Sequence, residues 1–393
     1  MSGASVASSG ETIPLARPVL GAAEEDAVIE VPRSGQLSLG PRLADFERRF
    51  AARVGAPLAS AVSSGTAALH LALRAVGVDE GDEVVTSPFS FVASANAALY
   101  ERARPVFADI DPRTLNLDAD AAAAAVGERT RALLPVHIFG YPADMLAFES
   151  LAASHDLAIV EDACEALGAR HADRVAVGAR GHPAAFGFYA NKQLTTGEGG
   201  MLTLSDPALK QRIDSERNQG RAPDMGWLDH DRLGFNYRLS DIACALGIAQ
   251  LDRLEQMLVA RARVAALYRE ALAGLEGLEL PCEDAGGERR GWFVFVVQLP
   301  AGIERDATIG ALADDSIQSK PYLPAIHLMS FYRERFGHRD GEFPVCEDVA
   351  ARSLALPFFP DMSEGQVGRV AERLRAALER LGTRGPGAAA RRP

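Results

Sequence analysis

The amino-acid sequence predicts an α/β fold: a mostly parallel sheet covered by helices on both faces, followed by a second, smaller α/β domain. Three observations predict it. Short β-rich runs alternate with segments of helical period, the order that sets a parallel sheet between helices. The runs are apolar at consecutive positions, as in strands buried on both faces. Beyond about residue 260 the pattern changes to one long apolar run and a final amphipathic helix. The expected domains are residues 12–258 and 259–382. Residues 1–11, small and polar, and 383–393, drawn from Thr, Gly, Pro, Ala and Arg, are expected to be disordered tails.

Taken in order, Gly40-Pro41 opens a helix whose Leu43, Phe46, Phe50 and Val54 share one face, and Gly55 with Pro57 closes it. Buried strands are expected over 84–86, 105–110, 133–138, 157–160, 184–189 and 201–204, with helices over 93–100, 119–126 and 145–154. Ser240 caps a helix whose 242–249 stretch is apolar almost all round, as in a helix buried on several sides or at a subunit contact. Residues 292–299 read as one strand. Ser363 and Gln366 form a capping box for a last helix carrying Val367, Val370, Leu374, Leu378 and Leu381.

The composition excludes several functions. With 53 acidic against 41 basic residues in a chain of 393, a net charge of -12, there is no basic stripe to meet nucleic acid. No apolar run reaches membrane-spanning length, and the first eleven residues lack the basic and apolar regions of a secretory leader. Cys164, Cys244, Cys282 and Cys346 are far apart, which indicates neither a disulfide framework nor a metal site and fits a reducing cytoplasm. Phosphate-loop, dinucleotide, zinc-protease and hydrolase-elbow motifs are absent. Only three of the basic residues are lysines: Lys192, Lys210 and Lys320. Compositional drift toward arginine accounts for the scarcity. Each lysine still merits attention, because arginine stays protonated and forms no imine.

Three local signals carry chemistry. Lys192 sits between the aromatic run at 186–189 and the turn Gly197-Glu-Gly-Gly200, where backbone approaches a ligand closely. A loop lysine at the surface is the plain alternative. The strand at 157–160 runs into Glu161 and Asp162, and ligands in α/β sheets bind beyond the carboxyl ends of strands. Successive strand residues point to opposite faces, so these two acids should not share a task; capping the next helix is the alternative. Ser63-Ser-Gly65-Thr66 enters a helix, whose first N–H groups suit a phosphate as well as an ordinary cap. An amine, an acid and a phosphate seat are what pyridoxal 5'-phosphate requires: the amine binds its aldehyde, the acid its pyridinium nitrogen, and the seat its phosphate.

Six stretches in order, Ser34 to Pro41, Ser64 to Leu73, Ser90 to Asn96, Glu161 to Ala169, Asn191 to Gly200 and Leu233 to Asp241, resemble the DegT/DnrJ/EryC1/StrS family of sugar aminotransferases. The resemblance runs from Ile13 to the last helix and implies a fold-type-I enzyme dependent on pyridoxal phosphate. It implies that Lys192 holds the cofactor and shuttles the proton, that Asp162 pairs with the ring nitrogen, that Gly65 and Thr66 bind the phosphate, and that Phe91 stacks on the ring. Asn236 is implied to reach the phosphate of the neighbouring subunit, hence a homodimer with shared sites. Tyr322 and His327 fall where substrate is met, packing within the small domain being the alternative for both. Two positions depart from the family pattern. Gly187 stands where many relatives carry a phosphate-binding serine, leaving its backbone to contribute, and Glu165 stands where Gln or His is common, near the cofactor's 3-hydroxyl and the substrate.

The implied reaction moves an amino group, with L-glutamate as donor, to a nucleotide-linked keto-deoxysugar. Lys192 opposes a 3-dehydratase, since those relatives carry His there. An aminotransferase or aminohydroxybenzoate-type synthase for a non-nucleotide cyclic ketone keeps the lysine and is the enzymatic alternative. A non-catalytic regulator of the same fold is the other, and the intact Lys192, Asp162 and Thr66 set disfavours it. Lys210 reads as a solvated charge, and Lys320 lies near the proposed substrate side.

Overall fold

The computed structural model describes residues 12–222 and 229–382, so the two expected tails lie outside the described residues. Eight strands build the large sheet: β1 (Leu58–Val62), β2 (Glu83–Thr86), β3 (Arg104–Phe107), β4 (Thr130–Leu134), β5 (Ala158–Ile159), β6 (Glu161–Asp162), β7 (Ala184–Gly187) and β8 (Gly200–Leu204). They form two ladders, β3-β2-β4-β5 and β1-β8-β7-β6. Val160, between β5 and β6, donates to the Leu133 carbonyl, and Asp162 donates to that of Pro135. The two ladders are thereby one sheet, in which β5 and β6 form a single interrupted strand. Pairings are parallel except at β8, which runs antiparallel to both β7 and β1.

The helix expected after Gly40 spans Pro41–Val54 and buries Phe46, Phe50 and Val54, with Gly55 left-handed at its end. Phe50 meets Phe186 at 5.1 Å and Phe188 at 5.5 Å between ring centroids, which fixes this helix on one face of the sheet. Helix Asp241–Asp252 lies across it, and Gly247 lets the Phe46 ring touch its backbone. The other face is covered by helix Gly65–Ala75, almost wholly buried.

The expected strand at 133–138 ends early. After β4 the chain turns at Ile138–Gly140, with Phe139 at φ +52°, and this turn borders the site described below. The expected strand at 292–299 contributes only β9 (Phe295–Gln298). It pairs with β11 (Ser353–Leu356), which pairs with β10 (Lys320–Pro321), in an antiparallel second sheet. Helix Glu364–Gly382 covers that sheet with Val367, Val370, Leu374 and Leu378, and Ser363 and Gln366 make the expected reciprocal capping bonds at 3.0 and 3.2 Å. Helix Leu254–Leu272 joins the layers: Leu254, Met257 and Leu258 sit in the large core, while Val264, Ala265, Tyr268 and Leu272 sit in the second.

One lysine departs from its sequence reading. Lys210 is not a solvated charge, because its side chain is only 24% exposed and its Nζ lies 2.9 Å from Asp214 and 3.3 Å from Glu47. It also donates to the Ala59 carbonyl at 2.7 Å. Lys320 is exposed on β10.

Candidate active site

The sheet aims its functional residues at one end. Strands β1, β6 and β7 run toward it and finish at Val62, Asp162 and Gly187, while antiparallel β8 starts there at Gly200. Their ends enclose a cavity of about 470 Å³. Gly65, Thr66, Phe91, Asp162, Glu165, Gly187, Lys192 and Tyr322 all line it.

Asp162 is buried and held at both oxygens: Ser94 Oγ donates to Oδ2 at 2.7 Å and the Cys164 amide donates to Oδ1 at 3.1 Å. Glu161 faces the other way, where His137 Nε2 lies 3.0 Å from its carboxylate. Strand alternation thus separates the two acids, as expected. Both are buried, but only Asp162 reaches the cavity.

The turn after β7 brings Lys192 over the cavity, its amide closing on the Tyr189 carbonyl at 3.0 Å. Its Nζ lies 3.8 Å above the centre of the Phe293 ring and 3.4 Å from Glu165 Oε1. The other Glu165 oxygen accepts from the Phe139 amide at 3.0 Å. Burial pushes the Glu165 carboxyl up despite these two partners. Tyr322 packs against Phe139 and Phe293, and burial with Glu165 nearby raises its hydroxyl well above the ordinary range, so it stays protonated.

Beyond Asp162 lies the start of helix Gly65–Ala75, where Ser64 Oγ accepts from the Ala67 amide at 3.0 Å. The first amides of a helix have no intrahelical partner and attract anions. Glycines make this floor. A Cβ on Gly65 would stand 2.8 Å from Cys164 Sγ and 3.2 Å from Gly187 Cα, and one on Gly200 would strike the Ser64 carbonyl. Gly187 is roomier, its nearest contact being Cys164 Sγ at 3.5 Å. An amine, an anchored carboxylate and a glycine-floored helix start within one cavity are the donor set that pyridoxal phosphate needs, so the residues present fit the group.

Two expected residues are elsewhere. Asn236 is exposed, bridged to Asn218, and does not line the cavity of its own chain. His327 is corrected: it does not line the cavity. Its ring is fully buried beside Phe343 and Phe107, and its Nε2 lies 3.1 Å from Glu347. Sequence reasoning missed Ser94, Phe139 and Phe293. For Ser94 a signal existed: it stands four residues after Ser90, whose hydroxyl it meets at 2.7 Å.

Known proteins share this architecture. The chain is 38% identical over 376 residues to the spore coat polysaccharide biosynthesis protein SpsC of Bacillus subtilis, covering 92% of this chain and 96% of that one. It is 37% identical over 361 residues to a GDP-perosamine synthase of Caulobacter vibrioides, covering 91% and 96%. The crystal structure of S. venezuelae DesV in complex with a ketimine intermediate superposes with a TM-score of 0.86 at 36% identity, covering 91% and 94%. The sequence pattern of the DegT/DnrJ/EryC1/StrS aminotransferase family matches residues 18–375. The chain therefore belongs to this family and is a fold-type-I, pyridoxal-phosphate-dependent sugar aminotransferase.

Proposed function

We propose that the enzyme moves an amino group from L-glutamate to a nucleotide-linked keto-deoxysugar, acting in the cytoplasm as a homodimer with shared sites. The observation that carries this reading is the single cavity holding Lys192 Nζ, the anchored Asp162 carboxylate and the glycine-floored start of helix Gly65–Ala75. Pyridoxal phosphate, when bound, supplies an aldehyde and a ring that accepts electrons as a Cα–H bond breaks. Lys192 Nζ binds that aldehyde and moves the proton at the substrate carbon. Asp162, kept in place by Ser94 Oγ and the Cys164 amide, holds a proton on the ring nitrogen. The amides of Gly65 and Thr66, with the backbone of Gly187, hold the phosphate, and Phe91, 60% exposed at the mouth, covers the ring.

Glu165 and Tyr322 face the substrate side of Lys192 as an acceptor and a protonated hydroxyl. The name of the Caulobacter relative supports a nucleotide sugar, and the family resemblance supports glutamate. Exposed Leu37, Leu39, Leu233 and Ile242 support a second copy, with Asn236 close in sequence to Leu233 and exposed to reach the partner's phosphate. No helix of the described residues is long and apolar enough to cross a membrane.

The test is direct. L-glutamate should shift the visible absorbance of the purified holoenzyme, and one member of a nucleotide-ketosugar panel should restore it with release of an aminosugar seen by mass spectrometry. If only free cyclic ketones restore the absorbance, the substrate assignment is wrong.

A further inference from the structure

Behind the cavity lies a buried cation with no anion beside it. Arg261, in the middle of helix Leu254–Leu272, is 3% exposed, and no carboxylate among the described residues pairs with it. Burial alone pulls its pKa down to about 10. Its partners are backbone carbonyls and the Phe358 ring, over whose centre the guanidinium lies at 5.8 Å. Nη1 donates to Phe293 O at 3.0 Å, and Nη2 donates to Lys192 O at 3.2 Å and to Asn191 O at 3.4 Å.

Those carbonyls belong to two segments, which are joined a second time where Gln193 Nε2 donates to the Gly291 carbonyl at 2.8 Å. One carries the Lys192 side chain. The other carries the Phe293 ring, above which Nζ stands at 3.8 Å. A guanidinium is a rigid planar fork, so it sets both segments in one register where an ammonium, a single point of charge, would not. A buried charge without a counter-ion is unfavourable to folding, and here three carbonyl bonds and the Phe358 ring offset that cost.

We propose that Arg261 is a positioning residue for Lys192: it ties the lysine's peptide to that of Phe293 and so fixes the amine over the ring, between it and Glu165. The proposal rests on Lys192 being the amine that binds the cofactor. Around that amine the ionisable groups lining the cavity are Glu165, Asp162, Glu198, Cys164, Tyr189 and Tyr322, none of them bonded to Arg261. Loss of the fork therefore shifts the amine among fixed charges.

The experiment compares holoenzyme of the wild type, Arg261→Lys and Arg261→Met by three readouts: the pH midpoint of the cofactor's visible band, kcat and KM for L-glutamate, and the thermal midpoint of the cofactor-free protein. Borohydride reduction with peptide mapping of the wild type tests the premise separately, because cofactor trapped on another lysine sinks the role of Lys192 itself. Both variants should move the band midpoint by about half a pH unit or more and lower kcat roughly tenfold with KM within about twofold, an orientation effect. A drop in thermal midpoint with unchanged band and kcat would overturn the proposal and leave Arg261 a packing residue. Should neither variant fold, Phe293→Leu removes the ring while keeping all three carbonyls. It should produce the same band shift, and an unchanged band in that variant overturns the proposal equally.

Discussion

Glu161 and Asp162 are neighbours in the chain with opposite surroundings, and the contrast determines what each substitution does. Asp162→Asn keeps the shape and its bond to Ser94 but removes the charge, so kcat should fall by about a hundredfold or more while the thermal midpoint barely moves. A variant with near-normal kcat excludes Asp162 as the partner of the ring nitrogen. The glycine floor offers a paired test by equilibrium dialysis of cofactor. Gly65→Ala presses a methyl to 2.8 Å from Cys164 Sγ and should weaken cofactor binding about tenfold or more. Gly187→Ser, with only ordinary contacts, should bind within about twofold of the wild type or more tightly. The reverse order contradicts the assigned floor.

Glu165 has a pH signature. Its carboxyl is raised above the ordinary 4.5, chiefly by burial. The stability linked to it is therefore present below that ordinary value and lost as pH rises through the raised folded value. Cofactor-free Glu165→Gln should match the wild type in thermal midpoint under acid conditions and exceed it toward neutral pH. A gap that widens toward acid has the wrong sign. At this scale the sequence was readable where chemistry is local: Lys192, Asp162 and Gly65 announce themselves through their immediate neighbours. Ser94 has only Ser90 as a local mark, its partner Asp162 lying 68 residues on, and Phe139 and Phe293 have none, because each meets its partner across a long stretch of chain. For His327 the packing alternative is the one the structure favours, for the same reason. Its motif suggested substrate, but Glu347, Phe107 and Phe343 enclose it from distant segments.

Elements were readable where a stop or cap is written into the chain. Gly40-Pro41, Gly55, Ser240 and the Ser363/Gln366 pair all mark the ends observed. The errors fall at strands. The run at 133–138 leaves the regular ladder after Leu134, keeping only the Val136–Asp162 bridge before it turns at Ile138, and the run at 292–299 turns Phe293 toward Lys192 before pairing begins at Phe295. Apolar character alone cannot separate a paired strand from a buried extended segment. Nor does it show that β8 runs antiparallel.

One cap is supplied from afar. Helix Pro344–Arg352 starts without a side-chain cap of its own, and Asp109 fills the role, accepting from the amides of Val345 at 3.0 Å and Cys346 at 2.8 Å. Asp109 follows the end of β3 in the large sheet, so this bond also links the two parts of the chain. Asp109→Ala should cost about 1–2 kcal/mol in chemical denaturation. A loss below a few tenths would show that the link carries no stability.

For the whole molecule the decisive issue is how one chain completes its site. Phe91 lies open at the mouth, and Asn236 is outside the cavity. If Asn236 serves a partner's phosphate, Lys192→Ala and Asn236→Ala each disable a different half of a shared site. Mixed and allowed to exchange subunits, the two inactive variants should recover activity, because one site of each hybrid dimer is intact. Mixtures that stay as inactive as their parts exclude sharing. The sequence could express this expectation only through resemblance, since nothing local tells an exposed asparagine that meets a partner from one that meets water.

The assignment of Lys192 as the cofactor-binding amine underlies the rest. The composition makes it unusually easy to test, because there are only three lysines: one over the cavity, one tied to Asp214 and Glu47, and one exposed on β10. Borohydride reduction of the holoenzyme followed by peptide mass spectrometry should place the cofactor on Lys192 alone, and Lys192→Ala should carry none. Cofactor trapped on Lys210 or Lys320, or retained covalently by Lys192→Ala, would contradict the assignment.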